Sequence, residues 1–123
     1  MADLSLWYVN VFVSDLARAI DFYQNTLGLR LKFQSEEHGY ASFETGGPGF
    51  GVARVNPGSG EPQPGRHTGV GWGVRDLERA HRALSQKGVR FTMPPTQQPW
   101  GGFMAMFTDP DGNVFYLDQL REE

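Results

Sequence analysis

Val13-Ser14-Asp15-Leu16-Ala17-Arg18-Ala19 returns as Val74-Arg75-Asp76-Leu77-Glu78-Arg79-Ala80, with five of seven residues matching at an offset of 61 in a chain of 123. Reading outward, each copy follows a segment of alternating valines and opens a helical pattern that stops at a glycine, Gly28 in the first and Gly88 in the second. This predicts two copies of one module. The period is longer than the repeats of solenoids, so two half-domains closing on each other fit better than an open array. A working site is expected where the copies meet.

The apolar period switches between strand and helix within each copy. Residues 5–13 alternate, with Val9, Val11 and Val13 on one face and Tyr8, Asn10 and Phe12 on the other. Ser14 or Asp15 can cap the helix that follows, whose stripe is Leu16, Ala19, Ile20, Tyr23 and Leu27. Segments 29–34, 40–45 and 50–55 read as three short strands, giving βαβββ. After a Pro- and Gly-rich linker the order repeats: Val70, Trp72 and Val74 alternate with Gly69, Gly71 and Gly73, a helix runs from Asp76 to about Lys87, and three strands follow. Asp109-Pro110-Asp111-Gly112-Asn113 is a tight-turn signal, with proline fixing φ and glycine allowing it to be positive. The expectation is one domain over residues 1–123, with module one at about 1–56, the linker at about 56–65 and module two at about 66–123.

Composition bounds the partners. A hydrophobic fraction of 39% supports one compact core, and eleven basic against fourteen acidic residues, without a Lys/Arg block, leave no footprint for nucleic acid or anionic membrane. The absence of cysteine removes disulfides, thiolate nucleophiles and thiolate metal sites. With no basic leader pattern and no apolar run of membrane-spanning length, a soluble cytoplasmic protein with a small-molecule or protein partner is expected.

The repeated strand-Asp-Leu-helix, Phe22-Tyr23 followed by Leu27-Gly28-Leu29, and Phe107-Thr108-Asp109-Pro110-Asp111-Gly112-Asn113 resemble the vicinal oxygen chelate superfamily of glyoxalases, bleomycin-resistance proteins and dioxygenases. The resemblance covers essentially the whole chain and implies an α+β fold of two tandem βαβββ modules around a concave cavity, commonly in a homodimer. It also implies a test. Metal-dependent members carry a His, Gln or Glu seven residues before each capping Asp, a carboxylate seven residues after the first Asp of the last hairpin, and a ligand from the fourth strand. Those positions are here Tyr8, Gly69, Tyr116 and one of Gly51, Val52 or Ala53. Tyrosine is a rare ligand and the others offer no donor, so no metal and no cofactor are expected.

Strand alternation sets Tyr8, Asn10 and Phe12 on one cavity wall and Gly69, Gly71 and Gly73 on another. The bare wall admits either a flat ligand or bulky side chains from the other module or a dimer mate. A longer connection in module two, Thr92 to Gly102, carries Trp100, which either covers the cavity mouth or packs in a dimer interface. Of the histidines, His38 falls in a turn and His81 flanks a helix stripe; only His67, two residues before Gly69, reaches the cavity face. The candidate ligand-contacting residues are Tyr8, Asn10, Phe12, His67, Gly69, Gly71, Trp100, Phe103 and Tyr116, with the two tyrosines as hydrogen-bond donors, a base, or packing groups.

The run Gln98-Pro99-Trp100-Gly101-Gly102 before the last hairpin is most similar to bleomycin-resistance proteins. That resemblance implies a metal-independent binding protein, an antibiotic-resistance type that sequesters an aromatic or amphipathic compound and forms a homodimer. Two rivals stay open: a lyase, isomerase or dioxygenase relative with displaced ligands or tyrosine acid-base chemistry, and a partner-binding module with no small ligand. Fold resemblance alone does not separate them.

Overall fold

A computed structural model describes residues 3–56 and 58–121. The chain divides into two compact units, with the boundary between Pro64 and Gly65. In the first unit the order is β1 (Tyr8–Val13), α1 (Leu16–Asp21), β2 (Arg30–Ser35), β3 (Tyr40–Glu44) and β4 (Gly49–Arg54). The second repeats it as β5 (His67–Val74), α2 (Leu77–Gln86), β6 (Arg90–Gln97), β7 (Phe103–Thr108) and β8 (Val114–Gln119). Each unit has one four-stranded mixed sheet, ordered β1-β4-β3-β2 and β5-β8-β7-β6, so the first and last strands of each module pair in parallel. The fold is α+β and consists of two tandem βαβββ modules.

The repeated heptads are helix starts. Asp15 and Asp76 stand in extended backbone, and their carboxylates accept from the Arg18 and Arg79 backbone N–H groups at 3.0 and 3.1 Å. These bonds satisfy amides that the first turn leaves orphaned. The repeat in sequence is therefore a repeat of caps. Gly28 and Gly88, both at positive φ, end the two helical segments. The first segment is not α-helical throughout, because residues Phe22–Thr26 form a π-helical turn closed by Leu27 N–H donating to the Phe22 carbonyl at 2.9 Å. Adjacent Phe22 and Tyr23 are both buried there, edge to face at 5.1 Å.

Each sheet buries one face against its own helix. In the first unit Val11, Val13, Ala41, Phe43, Phe50 and Val52 meet Leu16, Ala19 and Tyr23. Tyr23, Phe43 and Phe50 form a cluster with ring centroids 5.2–6.4 Å apart, in the range of favourable aromatic packing. In the second, Phe107 stacks on Phe115 at 5.4 Å, and both are buried, as is Leu77 of α2. Burying each such side chain contributes about 1.5–3 kcal/mol.

Two expectations change. The connection Thr92–Gly102 is mostly strand, because β6 runs through Pro94 and Pro95 to Gln97, leaving only Gln98–Gly102 as the loop. Strand β6 is an edge that pairs with β7 alone and is interrupted by register shifts, which is where a strand tolerates residues lacking an N–H. The wall formed by Gly69, Gly71 and Gly73 is not bare. A Cβ at Gly73 would lie 2.5 Å from the Leu120 side chain, and one at Gly71 would lie 3.3 Å from the Asp118 carboxylate. Only Gly69, in a bulge at φ +73°, has open space. Among the described residues no helix is long and apolar enough to cross a membrane.

Candidate functional site

The face of the first sheet turned away from its helix carries the polar chemistry of that unit. Register puts Asn10 opposite Gly51, Gly51 opposite Ser42, and Tyr8 opposite Gly49, so the even residues of β1 and β3 share one surface with the odd residues of β4. In β2 a bulge between Leu31 and Phe33 changes the phase of the strand. Arg30 pairs with Glu44 and Phe33 with Ser42, so both sides of the bulge present side chains to this surface. The bulge sets Lys32 and Phe33 there in succession.

At one end of this surface lies a pocket of about 340 Å³, lined by Trp7, Tyr8, Lys32, Tyr40, Ser42 and Glu44 together with Gly47 and Gly49. That volume falls within the range of small-molecule sites. Trp7 and Tyr8 meet edge to face at 5.9 Å, and both are exposed, at 80% and 55%. Below them the Tyr40 hydroxyl donates to Asn10 Oδ1 at 3.0 Å. Burial raises the Tyr40 pKa, with the neighbouring Tyr8 adding to the effect, so the hydroxyl holds its proton and remains a donor. The bond passes over Gly51. A Cβ at residue 51 would collide with the Tyr40 hydroxyl and with Asn10 Oδ1.

The structure thus brings Tyr8, Asn10 and Phe12 onto one face, and Tyr8 into the pocket with residues the sequence reading did not single out: Trp7, Lys32, Tyr40, Ser42 and Glu44. Buried Ala41 and Phe43 are the signal that exposes Tyr40, Ser42 and Glu44 by alternation. No comparable signal marks Lys32, whose place depends on the bulge, or Trp7, which precedes β1.

The second sheet has its own open face. Strand β5 begins at His67, whose ring lies against Tyr116 at a centroid distance of 4.6 Å. Its Nδ1 accepts from the Gly69 backbone N–H at 3.0 Å, which in the neutral ring leaves the proton on Nε2 as an outward donor. Gly71 pairs with Tyr116 and Gly73 with Asp118. Phe103 shares its strand parity with buried Ala105 and Phe107, on the side packed against α2. Trp100 lies in the Gln98–Gly102 loop, where a Cβ at Gly102 would sit 2.8 Å from its Nε1.

The donors do not fit the metal that the resemblance implies. Tyr8 and Tyr116 are phenols, Gly69 and Gly51 carry no side chain, Val52 is fully buried, and the space above Gly51 is taken by the Tyr40–Asn10 bond. Among the described residues no three His, Asp or Glu side chains group to hold an ion.

Comparison with known proteins agrees with this architecture over nearly the full chain. The model of the Glyoxalase/Bleomycin resistance protein/Dioxygenase superfamily matches residues 5–117. A member of that superfamily from Sphaerobacter thermophilus DSM 20745 has a solved structure with a TM-score of 0.85 and 30% identity, covering 95% of this chain and 98% of its own. The uncharacterized protein YraH of Bacillus subtilis (strain 168) is 24% identical over 127 residues, covering 95% of this chain and 99% of that protein. An uncharacterized protein of Shewanella frigidimarina (strain NCIMB 400) is 28% identical, covering 97% and 96%.

Proposed function

Since the chain belongs to the Glyoxalase/Bleomycin resistance protein/Dioxygenase superfamily, we propose that it binds and sequesters a small aromatic or amphipathic compound without metal catalysis, in the manner of the bleomycin-resistance type. The observation that carries this reading is the pocket of about 340 Å³ walled by Trp7, Tyr8 and Tyr40, with a neutral Tyr40–Asn10 bond where a ligating side chain would have to stand. An apolar ring surface with a few fixed polar groups is what selective binding of a small molecule needs. Holding Tyr40 protonated also disfavours it as a base at neutral pH.

We infer a homodimer as the working assembly. Leu4 and Leu6, outside the pocket lining, and Trp100 and Leu120 are all exposed, and a second copy in closed two-fold symmetry is the commonest way such side chains are covered. Light scattering at micromolar concentration should give twice the chain mass; the monomer mass would count against the dimer.

The test of binding uses a panel of aromatic compounds including bleomycin, followed by tryptophan fluorescence. A ligand in the pocket should quench Trp7, and Trp7→Leu should weaken it by about 1–3 kcal/mol. Elemental analysis of protein purified without chelator should find far less than one equivalent of transition metal. Stoichiometric metal that raises the melting temperature, or ligand-dependent turnover of the panel compounds, would overturn the reading.

A further inference from the structure

The side chains around the pocket differ in how fully their charges are answered. Glu44 is engaged: its Oε1 accepts from the Gly46 backbone N–H at 3.2 Å, and it stands directly across the strand pair from Arg30. Opposite charges at that cross-strand position attract. Tyr40 is neutral, and its proton is committed to Asn10. The Lys32 side chain, placed on this surface by the β2 bulge, has no ion pair or hydrogen bond to any described residue. Lys32 thus lines the pocket beside Glu44 without an ion pair to any described residue, although the chain as a whole carries a net charge of −3. With Arg30 and Lys32 set against Glu44, the charged groups on this part of the sheet sum to one positive charge.

Resting on the reading of this pocket as a binding site, we propose that its ligand is an aromatic monoanion, with the ring against Trp7 and Tyr8 and a carboxylate or comparable anionic oxygen group at the Lys32 ammonium. The ring receives the dispersion and edge contacts that Trp7 and Tyr8 leave unused. The anion answers the Lys32 charge, through charge-assisted hydrogen bonds stronger than those between neutral groups. A cationic ring system would meet the ammonium at close range, and a neutral one would leave it unanswered.

The probes are 2-naphthoate, 2-naphthamide and 2-naphthylmethylammonium, which share one ring and differ in charge. Their affinities for the full chain are measured by calorimetry and Trp7 quenching. The wild-type protein should prefer naphthoate over naphthamide by about five- to tenfold at low salt, as expected for one partly exposed charge-assisted contact, with the preference shrinking as salt is added. Lys32→Gln should bring naphthoate down to the affinity of naphthamide. Lys32→Glu should favour the ammonium compound. Lys32 is exposed on an edge strand, so neither variant should shift the melting temperature appreciably. Equal wild-type affinity for the acid and the amide, or a preference that survives Lys32→Gln, overturns the assignment and leaves the binding function standing. Failure of all three compounds to bind overturns both.

Discussion

The two units lay the same strand order over the same caps, yet they fill the centre of the open face in opposite ways. In the first, the leading strand β1 supplies the bulk, Tyr8 and Asn10, and its parallel neighbour β4 supplies Gly49 and Gly51 opposite them. In the second, the leading strand β5 supplies Gly71 and Gly73, and β8 supplies Tyr116 and Asp118 opposite. Each cross-strand pair contains one large residue and one glycine, with the roles exchanged. Two of these glycines are places already occupied: Tyr40 and Asn10 cover Gly51, and Leu120 covers Gly73.

The units differ most in the hairpin that returns the last strand. Between β7 and β8, buried Asp109 accepts from the backbone N–H groups of Asp111 and Asn113 and from Asn113 Nδ2 at 2.8–3.0 Å, while Asn113 Oδ1 accepts from Gly65 N–H at 2.8 Å. The corresponding turn of the first unit is exposed and rests on Thr45 Oγ1 donating to the Pro48 carbonyl at 2.5 Å. Asp109→Ala should therefore destabilise the protein by about 3 kcal/mol, since it removes a charged acceptor and strands two buried donors of Asn113 and the half-buried Asp111 N–H. Thr45→Ala should stay within about 0.5 kcal/mol. Urea titration of both variants measures the contrast, and similar losses would break it.

A smaller difference is expected between glycines at matched places. Gly51→Ala forces a Cβ into the Tyr40–Asn10 bond and should cost about 1–3 kcal/mol, part of which returns in the double variant Gly51→Ala/Tyr40→Phe. At Gly71 the nearest atom is the movable end of Asp118, at 3.3 Å, so Gly71→Ala should change stability by less than about 0.5 kcal/mol. Equal effects at the two sites would mean that the faces are filled alike.

The smallest effect is a pH dependence that belongs to the first unit. Tyr40 has its pKa raised in the folded state, so the stability it contributes is fully present below the ordinary tyrosine value near 10 and is lost as pH rises through the folded one. Denaturation between pH 9 and about 11 should show a steeper decline for the wild-type protein than for Tyr40→Phe. Parallel curves would remove Tyr40 as the source.

Features written in local sequence were legible. The caps Asp15 and Asp76, the stops Gly28 and Gly88 and the Asp109 hairpin each depend on residues a few positions apart, and they were enough to order both modules. Alternation placed Tyr8, Asn10 and Phe12 on one face because β1 is regular. It did not find Lys32 and Phe33, because the bulge in β2 reverses parity midway, nor the course of β6, because its prolines read as loop until the strand is known to be an edge. Alternation left open whether a flat ligand or bulky side chains fill the space over the β5 glycines, and what covers Gly73 comes from Leu120, past the end of β8, just as what covers Gly51 comes from Tyr40 on another strand. Occupancy of a glycine is a tertiary fact.

The Tyr40–Asn10 bond over Gly51 also constrains the order in which this chain can change. Of residues 51 to 53, where the resemblance sets a metal ligand, Val52 points into the core, leaving 51 and 53 on the open face. A coordinating side chain introduced at 51 collides at once with its two neighbours, so that first step lowers stability before any ion can repay it. Replacing Tyr40 or Asn10 first opens the space and gives up the bond. The mutational route toward a metal ligand at 51 therefore runs through the loss of this pair, and a library randomised at position 51 alone should return glycine.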